Sequence, residues 1–383
     1  MGGVNLALNE LYVLDSNFKK LWVIDNAKSV IWTSRYSECG DFEICLPMKK
    51  GVFNYIDPNF EETDFDRYIV HDDSEMIGVI EGYEITTADD DIDYLIITGR
   101  CATSILSRRI IRKVAYYENE TTAINVLNSL ISNNGGSATG DYHVLENLHI
   151  SSSVEYLKNP TNDKIYSANY EYQNLYKSVV DICNHFDYGI RSKFEYVNEQ
   201  KKIWIEFYQG TDRSHKQTEN PIVTFSTEYN NLHNTKYSVS YKDYANLVVI
   251  EGGKYKEAER NVSKPVFKKN RSGMKLREKF VAAHDLPTVN PTTKTNYELN
   301  VYEQMLENRG LEELSKASIT KAVTGEVGVN NLYKYNVDYY LGDIVTIENN
   351  YGFKEAFRLT EMVESWDENG YTLVPTFRNM NMT

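Results

Sequence analysis

The sequence contains no long apolar segment. Among its 383 residues, no stretch approaches the roughly 20 consecutive apolar residues that a membrane-spanning helix needs. The N-terminal segment MGGVNLALNELYV also lacks the basic region and the longer apolar region of a secretory signal peptide. We therefore expect neither a membrane span nor a secretory leader.

Cysteine is scarce, and its spacing matches no common cysteine motif. The four cysteines, Cys39, Cys45, Cys101 and Cys183, contain no C-x-x-C pair and lie in apolar strand or helix contexts. Cysteines in such contexts are more often buried free thiols than disulfides. We expect free thiols and assembly in a reducing cytosol.

Motifs for catalysis are also missing. The seven histidines are scattered without an H-E-x-x-H pattern, and the chain has no G-x-S-x-G elbow, phosphate loop or dinucleotide fingerprint. Cys183 and His185 are two residues apart in a predicted helix, so their side chains point in different directions. A nucleophilic Cys–His pair is therefore disfavoured. We expect no enzymatic activity, no cofactor, and no catalytic, cofactor-binding or metal-binding residue.

One acidic loop is a candidate ion-binding site. Asp89, Asp90, Asp91 and Asp93 lie in a predicted hairpin tip, and carboxylates are ligands that Ca²⁺ prefers. The loop lacks the glycine and the closing glutamate of an EF-hand, so a solvated turn is favoured over an ion site. A glycosidase pair cannot be assigned to named residues in a chain with 55 acidic side chains.

Positive charge is in short supply. With 41 Lys and Arg against 55 Asp and Glu, the formal net charge is −14. Such a chain is a poor binder of free nucleic acid, because phosphate binding needs a basic surface, but it is compatible with a tube that DNA crosses. The exception is a basic tract of Lys264, Lys268, Lys269, Arg271, Lys275, Arg277 and Lys279. We interpret this tract as a projecting hairpin that docks on an acidic neighbour, in preference to a nucleic-acid-binding arm.

The length of the chain and its high tyrosine content indicate several domains and extended contact surfaces. A chain of 383 residues exceeds a single ordinary core, so two to four domains are expected. Its 30 tyrosines suit sheet surfaces and subunit interfaces, because each supplies a large contact area with a polar tip. A genome rich in A and T explains part of this excess equally well.

Strand patterns occupy both ends of the chain. The stretch Leu11–Pro47 alternates apolar and polar residues, as half-buried strands require. Asp15–Asn17 predicts a turn, and Gly40 predicts a tight reversal with a positive φ. From Ser318 to the end the pattern is again that of strands, with a predicted turn at Asn369-Gly370.

Helical patterns are confined to the middle of the chain. Asn119–Asn134 and Asn174–Tyr188 each carry an apolar stripe behind an asparagine cap, and Gly189 is expected to end the second helix. A predicted strand hairpin follows that helix. A third helix is expected from about Asn296, with an interruption at Arg309-Gly310.

Several motifs occur in a fixed order along the chain. They are W-x-x-R-Y-x-x-x-G-D-F-E from Trp32 to Glu43, I-x-T-G-R-C-x-x-S-I-L-x-R-R from Ile96 to Arg109, G-x-D-R from Gly210 to Arg213, L-G-D-I-V from Leu341 to Val345, and E-S-W-D-E-N-G-Y-T-L-x-P-T from Glu364 to Thr376. Together they resemble the tail-tip hub proteins of siphophages and prophages, often called tail-associated proteins. The resemblance covers nearly the whole chain.

The resemblance implies an architecture related to that of contractile-tail baseplate hubs. The expected fold is α+β and predominantly β, with two small β-barrel modules, an inserted α+β domain and a helical insertion. The expected boundaries are 1–110 for the first β-barrel, 111–225 for the α+β insertion domain, 226–250 with 318–383 for the second β-barrel, and 251–317 for the basic hairpin and helix insertion.

The resemblance also implies a structural function. Such a hub closes the distal end of the tail tube as a homotrimer, and connects it to the distal tail ring, the tape-measure protein and the receptor-binding components. DNA would meet it only in transit. The expected location is the virion tail tip, after assembly in the bacterial host cytoplasm. A phage cell-wall (peptidoglycan) hydrolase and a carbohydrate-binding adhesin stay open as alternatives.

Overall fold

The computed structural model describes residues 10–56, 66–71, 76–87, 92–112, 115–136, 144–145, 147–151, 157–158, 163–197, 200–256, 261–268, 271–290, 293–328 and 332–379. The strands are β1 Leu11–Leu14, β2 Lys20–Ile24, β3 Ser29–Arg35, β4 Asp41–Pro47, β5 Tyr68–His71, β6 Ile77–Thr87, β7 Asp93–Cys101, β8 Ala115–Thr122, β9 Leu148–Ile150, β10 Lys164–Tyr170, β11 Gly189–Val197, β12 Gln200–Tyr208, β13 Thr224–Ser226, β14 His233–Ser240, β15 Leu247–Lys254, β16 Asn261–Phe267, β17 Glu278–Ala282, β18 Thr320–Glu326, β19 Ile344–Glu348, β20 Lys354–Asp367 and β21 Gly370–Arg378. The helices are α1 Phe53–Ile56, α2 Ala123–Asn134, α3 Leu175–Phe186 and α4 Leu299–Lys316, with short 3₁₀ helices at Ala102–Arg108 and Gly273–Lys275.

One sheet of thirteen strands joins the two ends of the chain. Eleven strands follow the order β14-β18-β21-β20-β3-β4-β7-β6-β5-β1-β2, and β19 with β13 branches from β20. The ladder between β3 and β20 links the N-terminal strands to the C-terminal ones. With 14 residues, β20 is long enough to pair with β19, β21 and β3. The predominantly β, α+β class is confirmed.

The large sheet is open within the described residues. Its strand path ends at β14 on one side and at β2 on the other, so the two closed barrels that we expected are not found there. Each end of the sheet nevertheless has its own hydrophobic core. One core surrounds the stacked pair Trp32 and Phe42, and the other surrounds Phe225 and Phe377. The division of the chain into domains stays a prediction.

Two reversals in the N-terminal strands have different causes. The Asp15 carboxylate accepts hydrogen bonds from the backbone N–H groups of Asn17 at 2.9 Å and Lys19 at 2.8 Å, so the predicted turn is confirmed. The predicted positive φ at Gly40 is wrong. Gly40 instead lies against the Thr33 carbonyl, where a Cβ would overlap with the oxygen. Close packing, rather than turn geometry, requires glycine at this position.

The first helix of the middle region starts later than its sequence pattern indicates. Residues 115–122 form β8, which pairs with β10, so α2 begins at Ala123 instead of Asn119. The apolar stripe itself is confirmed, since Leu127, Leu130 and Ile131 are buried in the core. Pairing with a strand distant in sequence therefore shortened the helix at its N-terminus.

The second helix begins where it was predicted. The Asn174 side chain caps α3 by accepting a hydrogen bond from the Lys177 N–H at 3.1 Å. The helix ends because Asp187 adopts the left-handed conformation, with φ of 56°. The prediction that Gly189 ends the helix is wrong, because this residue starts β11. The predicted hairpin of β11 and β12 is confirmed.

The third helix packs on a small separate sheet. β15 lies between β16, which is antiparallel to it, and β17, which is parallel. α4 runs without a break, so the predicted interruption at Arg309-Gly310 is wrong. A Cβ at Gly310 would lie 2.6 Å from Val266 Cγ2 on β16. This glycine therefore lets the helix approach the sheet.

The four cysteines are free thiols, as predicted. Cys39 and Cys183 are buried, whereas Cys45 and Cys101 are half-buried. Burial raises the pKa of the Cys39 and Cys183 thiols. These thiols are therefore protonated at neutral pH and are poor nucleophiles.

Candidate functional site at the junction of the two chain ends

Tyr36 and Arg358 hold the end of β3 against the C-terminal strands. The guanidinium carbon of Arg358 lies 4.9 Å from the centroid of the Tyr36 ring. The guanidinium also donates hydrogen bonds to the Gly342 carbonyl and the Asp187 carboxylate. The Tyr36 hydroxyl donates to the Asp187 carbonyl at 2.8 Å. Burial raises the pKa of Asp187, and the positive charge of Arg358 opposes this shift. These two side chains fix three segments that are distant in sequence.

Three glycines allow these segments to meet. A Cβ at Gly210 would overlap with the Gly342 carbonyl, and a Cβ at Gly342 would overlap with the Tyr36 ring. Gly189 lies against both Tyr36 and Tyr208, whose ring centroids are 5.4 Å apart in an edge-to-face arrangement. Gly342 also has a φ of +92°, which side chains disfavour. The backbone at the junction is therefore packed too closely for other residues.

Asp343 ties the segment after β12 to the start of β19. It is 2% exposed, and its carboxylate accepts hydrogen bonds from the Thr211 N–H at 2.7 Å and from the Tyr340 N–H at 3.0 Å. Arg213 completes the site with an ion pair to the carboxylate at 2.8 Å. A buried carboxylate with a cation and two N–H donors is well compensated. The G-x-D-R and L-G-D motifs therefore serve one structural contact.

Arg35 connects the same region to β4 and β20. Its guanidinium forms ion pairs with Asp41 at 2.6 Å and Glu361 at 2.8 Å, and donates to the Cys39 carbonyl at 3.0 Å. Arg35 and Glu361 are 326 residues apart in sequence. Sequence reasoning found these motifs through the resemblance, but it did not predict that they meet at one place.

A cleft of about 1090 Å³ opens beside the junction. Junction residues Arg35, Asp187 and Arg358 form part of its wall, together with His185 of α3. Burial lowers the pKa of His185. Cys183, by contrast, belongs to the hydrophobic core and is 0% exposed. The walls of the cleft thus carry charges of both signs. His185 lies in this wall and Cys183 in the core, so the disfavoured Cys–His pair does not form one site.

The other sequence candidates give no assembled site. Asp89, Asp90, Asp91 and His143 lie outside the described residues, so the solvated turn stays a prediction. The Asp93 carboxylate accepts a hydrogen bond from the Thr87 hydroxyl at 2.7 Å. Within the described ranges, no cluster of three or more His, Cys, Asp or Glu residues could hold a metal ion. No helix in the same ranges has the length and apolar character needed to cross a membrane.

The basic tract does not form the predicted hairpin. Its described residues lie in β16, in β17 and in the loop between them, and both strands pair with β15 rather than with each other. Lys264 and Lys279 form ion pairs with Glu307 and Glu313 of α4, each at 2.7 Å. The acidic neighbour of these two lysines is therefore the chain's own helix. Lys269 lies outside the described residues.

Eight strands of the large sheet form a continuous antiparallel run, in the order β14-β18-β21-β20-β3-β4-β7-β6. The face opposite the two hydrophobic cores is called the polar face here. One row of this face consists of Lys236, Thr324, Thr376, Glu361 and Arg35. Its acidic residues elsewhere include Asp41, Glu43, Glu84 and Glu326, and hydroxyl side chains such as Thr33, Thr98, Ser365 and Thr372 separate the charges.

Both ends of this run present strand edges. β14 pairs with β18 on one side, and in the described part of the chain no strand pairs with its other side. β6 extends past β5, so its outer half, residues 82–87, pairs with β7 alone among the described strands. Both segments are largely exposed. Edges of this kind readily pair with a strand of another chain.

The fold is similar to that of phage and prophage tail proteins. It matches a prophage MuSo2 tail protein from Shewanella oneidensis with a TM-score of 0.59 at 11% identity, covering 97% of this chain and 98% of the other. A tail protein from Neisseria meningitidis MC58 gives 0.56 at 12% identity, with 97% and 96% covered. A prophage tail protein from Listeria monocytogenes EGD-e gives 0.50 at 10% identity, with 98% and 95% covered.

The sequence defines the family more narrowly. The chain belongs to the Siphovirus ReqiPepy6 Gp37-like protein family, whose model matches residues 10–377. No curated protein matches the chain by sequence. The expected resemblance to siphophage and prophage tail proteins is thus confirmed, and the chain is a phage tail protein of this family.

Proposed function

We propose that this chain is a structural hub that closes the distal end of the tail tube and joins it to the distal tail ring, the tape-measure protein and the receptor-binding components. The observation that supports this proposal best is the run of eight antiparallel strands with an open edge at each end. In the proposed hub this run forms a segment of the tube wall, and its open edges pair with neighbouring copies. Its polar face would then line the bore.

Strand direction supports assembly into a ring. The eight strands alternate in direction, so β14 at one end and β6 at the other run in opposite senses. The β14 edge of one copy can therefore pair in antiparallel fashion with the β6 edge of the next. A contact between two different surfaces of identical chains closes into a ring when the rotation permits. The expected number of copies in the ring, three, comes from the family resemblance, which implies a homotrimer.

The junction contributes rigidity to this role. It fixes β3, β20 and the segment before β19 to one another through Arg358, Tyr36 and Asp343. A wall segment must keep its curvature under load, and a largely buried junction with several hydrogen bonds resists local opening. We therefore assign the motifs that meet at the junction to mechanical connection and not to chemistry. The proposal includes no enzymatic activity, and assembly takes place in the host cytoplasm before the hub joins the virion tail tip.

Molar mass in solution tests the ring. Light scattering of the purified chain, alone and with its distal tail ring partner, should give a trimer in at least one of the two samples. A stable dimer or tetramer in both samples would refute the proposal. Incubation with purified peptidoglycan tests the enzymatic alternative: release of soluble fragments above an empty-vector control would favour the hydrolase.

A pair of proline variants on β14 tests the edge contact. Backbone N–H groups of consecutive strand residues point to opposite sides of the strand. Of Ser238→Pro and Val239→Pro, one therefore removes an N–H from the β18 ladder and lowers the melting temperature. The other removes an outward N–H, and should abolish the trimer with little loss of melting temperature. If both variants still form trimers, β14 is not the contact.

A further inference from the structure

The outer face of the small sheet of β15, β16 and β17 carries exposed apolar side chains beside the polar residues Glu251, Ser263 and Glu278. α4 covers the other face, where Val248, Ile250 and Val266 pack against Tyr302 and Leu306. On the outer face, Phe280 of β17 is 63% exposed and Phe267 of β16 is 46% exposed. Between them lies Val249 of β15, in register with Phe280. A sheet face open to water normally carries polar residues. Two exposed phenylalanines on neighbouring rows therefore indicate a surface that is covered in the assembled protein.

A basic loop borders this apolar face. The segment 268–277 leads from β16 to β17, and in its described part Lys268, Arg271 and Lys275 are exposed and form no ion pair with a described residue. Met274 is 100% exposed, next to Gly273, which has a φ of +59°. Phenylalanine, methionine and arginine are enriched in the centres of protein interfaces.

The tract divides its cations between two faces. Lys264 and Lys279 turn toward α4 and are neutralised by Glu307 and Glu313. The loop cations Lys268, Arg271 and Lys275 form no ion pair with α4 or with any other described residue. If the tract served only the stability of the small sheet, its loop would need no cations. The loop therefore offers positive charge to a partner, while the chain as a whole carries −14.

The loop is attached to the edge strand of the large sheet. The Arg277 guanidinium donates a hydrogen bond at 3.1 Å to the carbonyl of Tyr241, the residue that follows β14 directly. Its guanidinium carbon also lies 5.7 Å from the centroid of the Tyr244 ring. The apolar face and the basic loop therefore begin where the open edge of β14 ends. A chain that pairs along β14 would reach them next.

We propose that this surface, consisting of Phe267, Phe280, Met274 and the loop cations Lys268, Arg271 and Lys275, docks on a second copy of this chain. The occupant follows from charge complementarity, because each copy is strongly acidic outside the tract, and from continuity with the β14 edge. The inference rests on the proposed ring and deepens it by naming a second contact between neighbouring copies. Charge at the rim sets orientation and association rate, whereas the phenylalanines supply apolar contact.

Sedimentation velocity of the full chain over a range of concentrations and salt tests the contact. The variants are Arg271→Glu/Lys275→Glu and Phe280→Ser. Each should raise the dissociation constant of the oligomer at least tenfold, and the charge variant should lose most of the salt dependence. Lys254→Glu is the matched control, since Lys254 is exposed at the opposite end of β15. It should assemble like the wild type. Circular dichroism melts verify that all variants fold.

The outcomes separate this inference from the proposed function. If the wild type forms trimers and both test variants do so with unchanged affinity, this contact is refuted while the hub stands. If the wild type never self-associates, alone or with its ring partner, both fail. Binding of the wild type to vesicles of anionic phospholipid, lost in the variants while self-association is unchanged, would assign the surface to a membrane and overturn the second copy as its occupant.

Discussion

Among single residues, Glu364 is a buried carboxylate that forms no ion pair with any described residue. Asp343 pairs with Arg213, whereas Glu364, 7% exposed in the middle of β20, receives a hydrogen bond from the Tyr371 hydroxyl at 2.6 Å. Burial raises the pKa of Glu364, and the Tyr371 hydrogen bond opposes this shift. Below the unfolded-state value of 4.5 the carboxyl is neutral in both states, so no penalty exists. At higher pH the carboxyl in the unfolded chain releases its proton more readily than the buried carboxyl in the folded chain. The free energy of unfolding therefore falls as pH rises through the folded-state pKa.

We therefore expect Glu364→Gln to stabilise the protein at high pH alone. Glutamine stays neutral and still accepts from Tyr371, so the melting temperature at pH 8 should rise by about 3 °C, or about 1 kcal/mol. At pH 4 it should equal that of the wild type. Glu361→Gln is the control on the same strand. It removes the ion pair with Arg35 and should lower the melting temperature at pH 8. An equal gain for Glu364→Gln at both pH values would contradict the burial argument.

The glycines of the junction allow a second prediction at this scale. Gly210→Ala forces a Cβ into the Gly342 carbonyl, which is backbone and cannot rotate away. Overpacking of this kind costs about 3 kcal/mol. Gly328→Ala is the matched control, because no described atom lies within 4 Å of its added Cβ. Urea unfolding of both variants measures the difference. A Gly210→Ala variant as stable as the control would show that the junction can relax.

At the scale of elements, local rules predicted what local contacts decide. The Asp15 turn, the Asn174 cap and the β11–β12 hairpin depend on residues close in sequence, and all three are confirmed. The start of α2 and the continuity of α4 were mispredicted, because their partners are distant. β8 pairs with β10, and Gly310 packs on β16. The junction is the extreme case, since periodicity carries no information about segments 326 residues apart.

The cap of α3 provides the prediction that belongs to this scale. Asn174→Ala removes the acceptor for the Lys177 N–H and should cost about 1 kcal/mol of unfolding free energy in urea. Asn184→Ala, on the exposed side of the same helix, is the control. It should be neutral or slightly stabilising, because alanine has the higher helix propensity. Equal losses in both variants would argue against the cap.

For the whole molecule, charge connects the fold to its proposed task. In the proposed trimer, chains that each carry −14 repel one another, and such charge must be distributed where it is useful or harmless. On the polar face, the acidic residues Asp41, Glu43, Glu84, Glu326, Glu361 and Asp367 outnumber the basic residues Arg35, Arg100, Lys236 and Arg378. Arg35 is further neutralised by two of these acids. A bore formed by this face would be lined by hydroxyl and apolar side chains with an excess of negative charge.

Such a bore should let DNA pass without holding it. We expect the trimeric wild type not to retard linear double-stranded DNA in a gel, even at low salt, because few cations are available to displace counterions. The variant Glu43→Lys/Glu84→Lys/Glu326→Lys should bind DNA, with an affinity that falls steeply as salt rises. Glu219→Lys/Glu228→Lys/Glu298→Lys makes the same change in net charge at exposed positions outside the polar face and should bind clearly less. Equal retardation by both variants would show that net charge alone matters. A trimer whose bore is lined mainly by the tract from Lys264 to Lys279 would refute the assignment and give that tract a role in DNA contact.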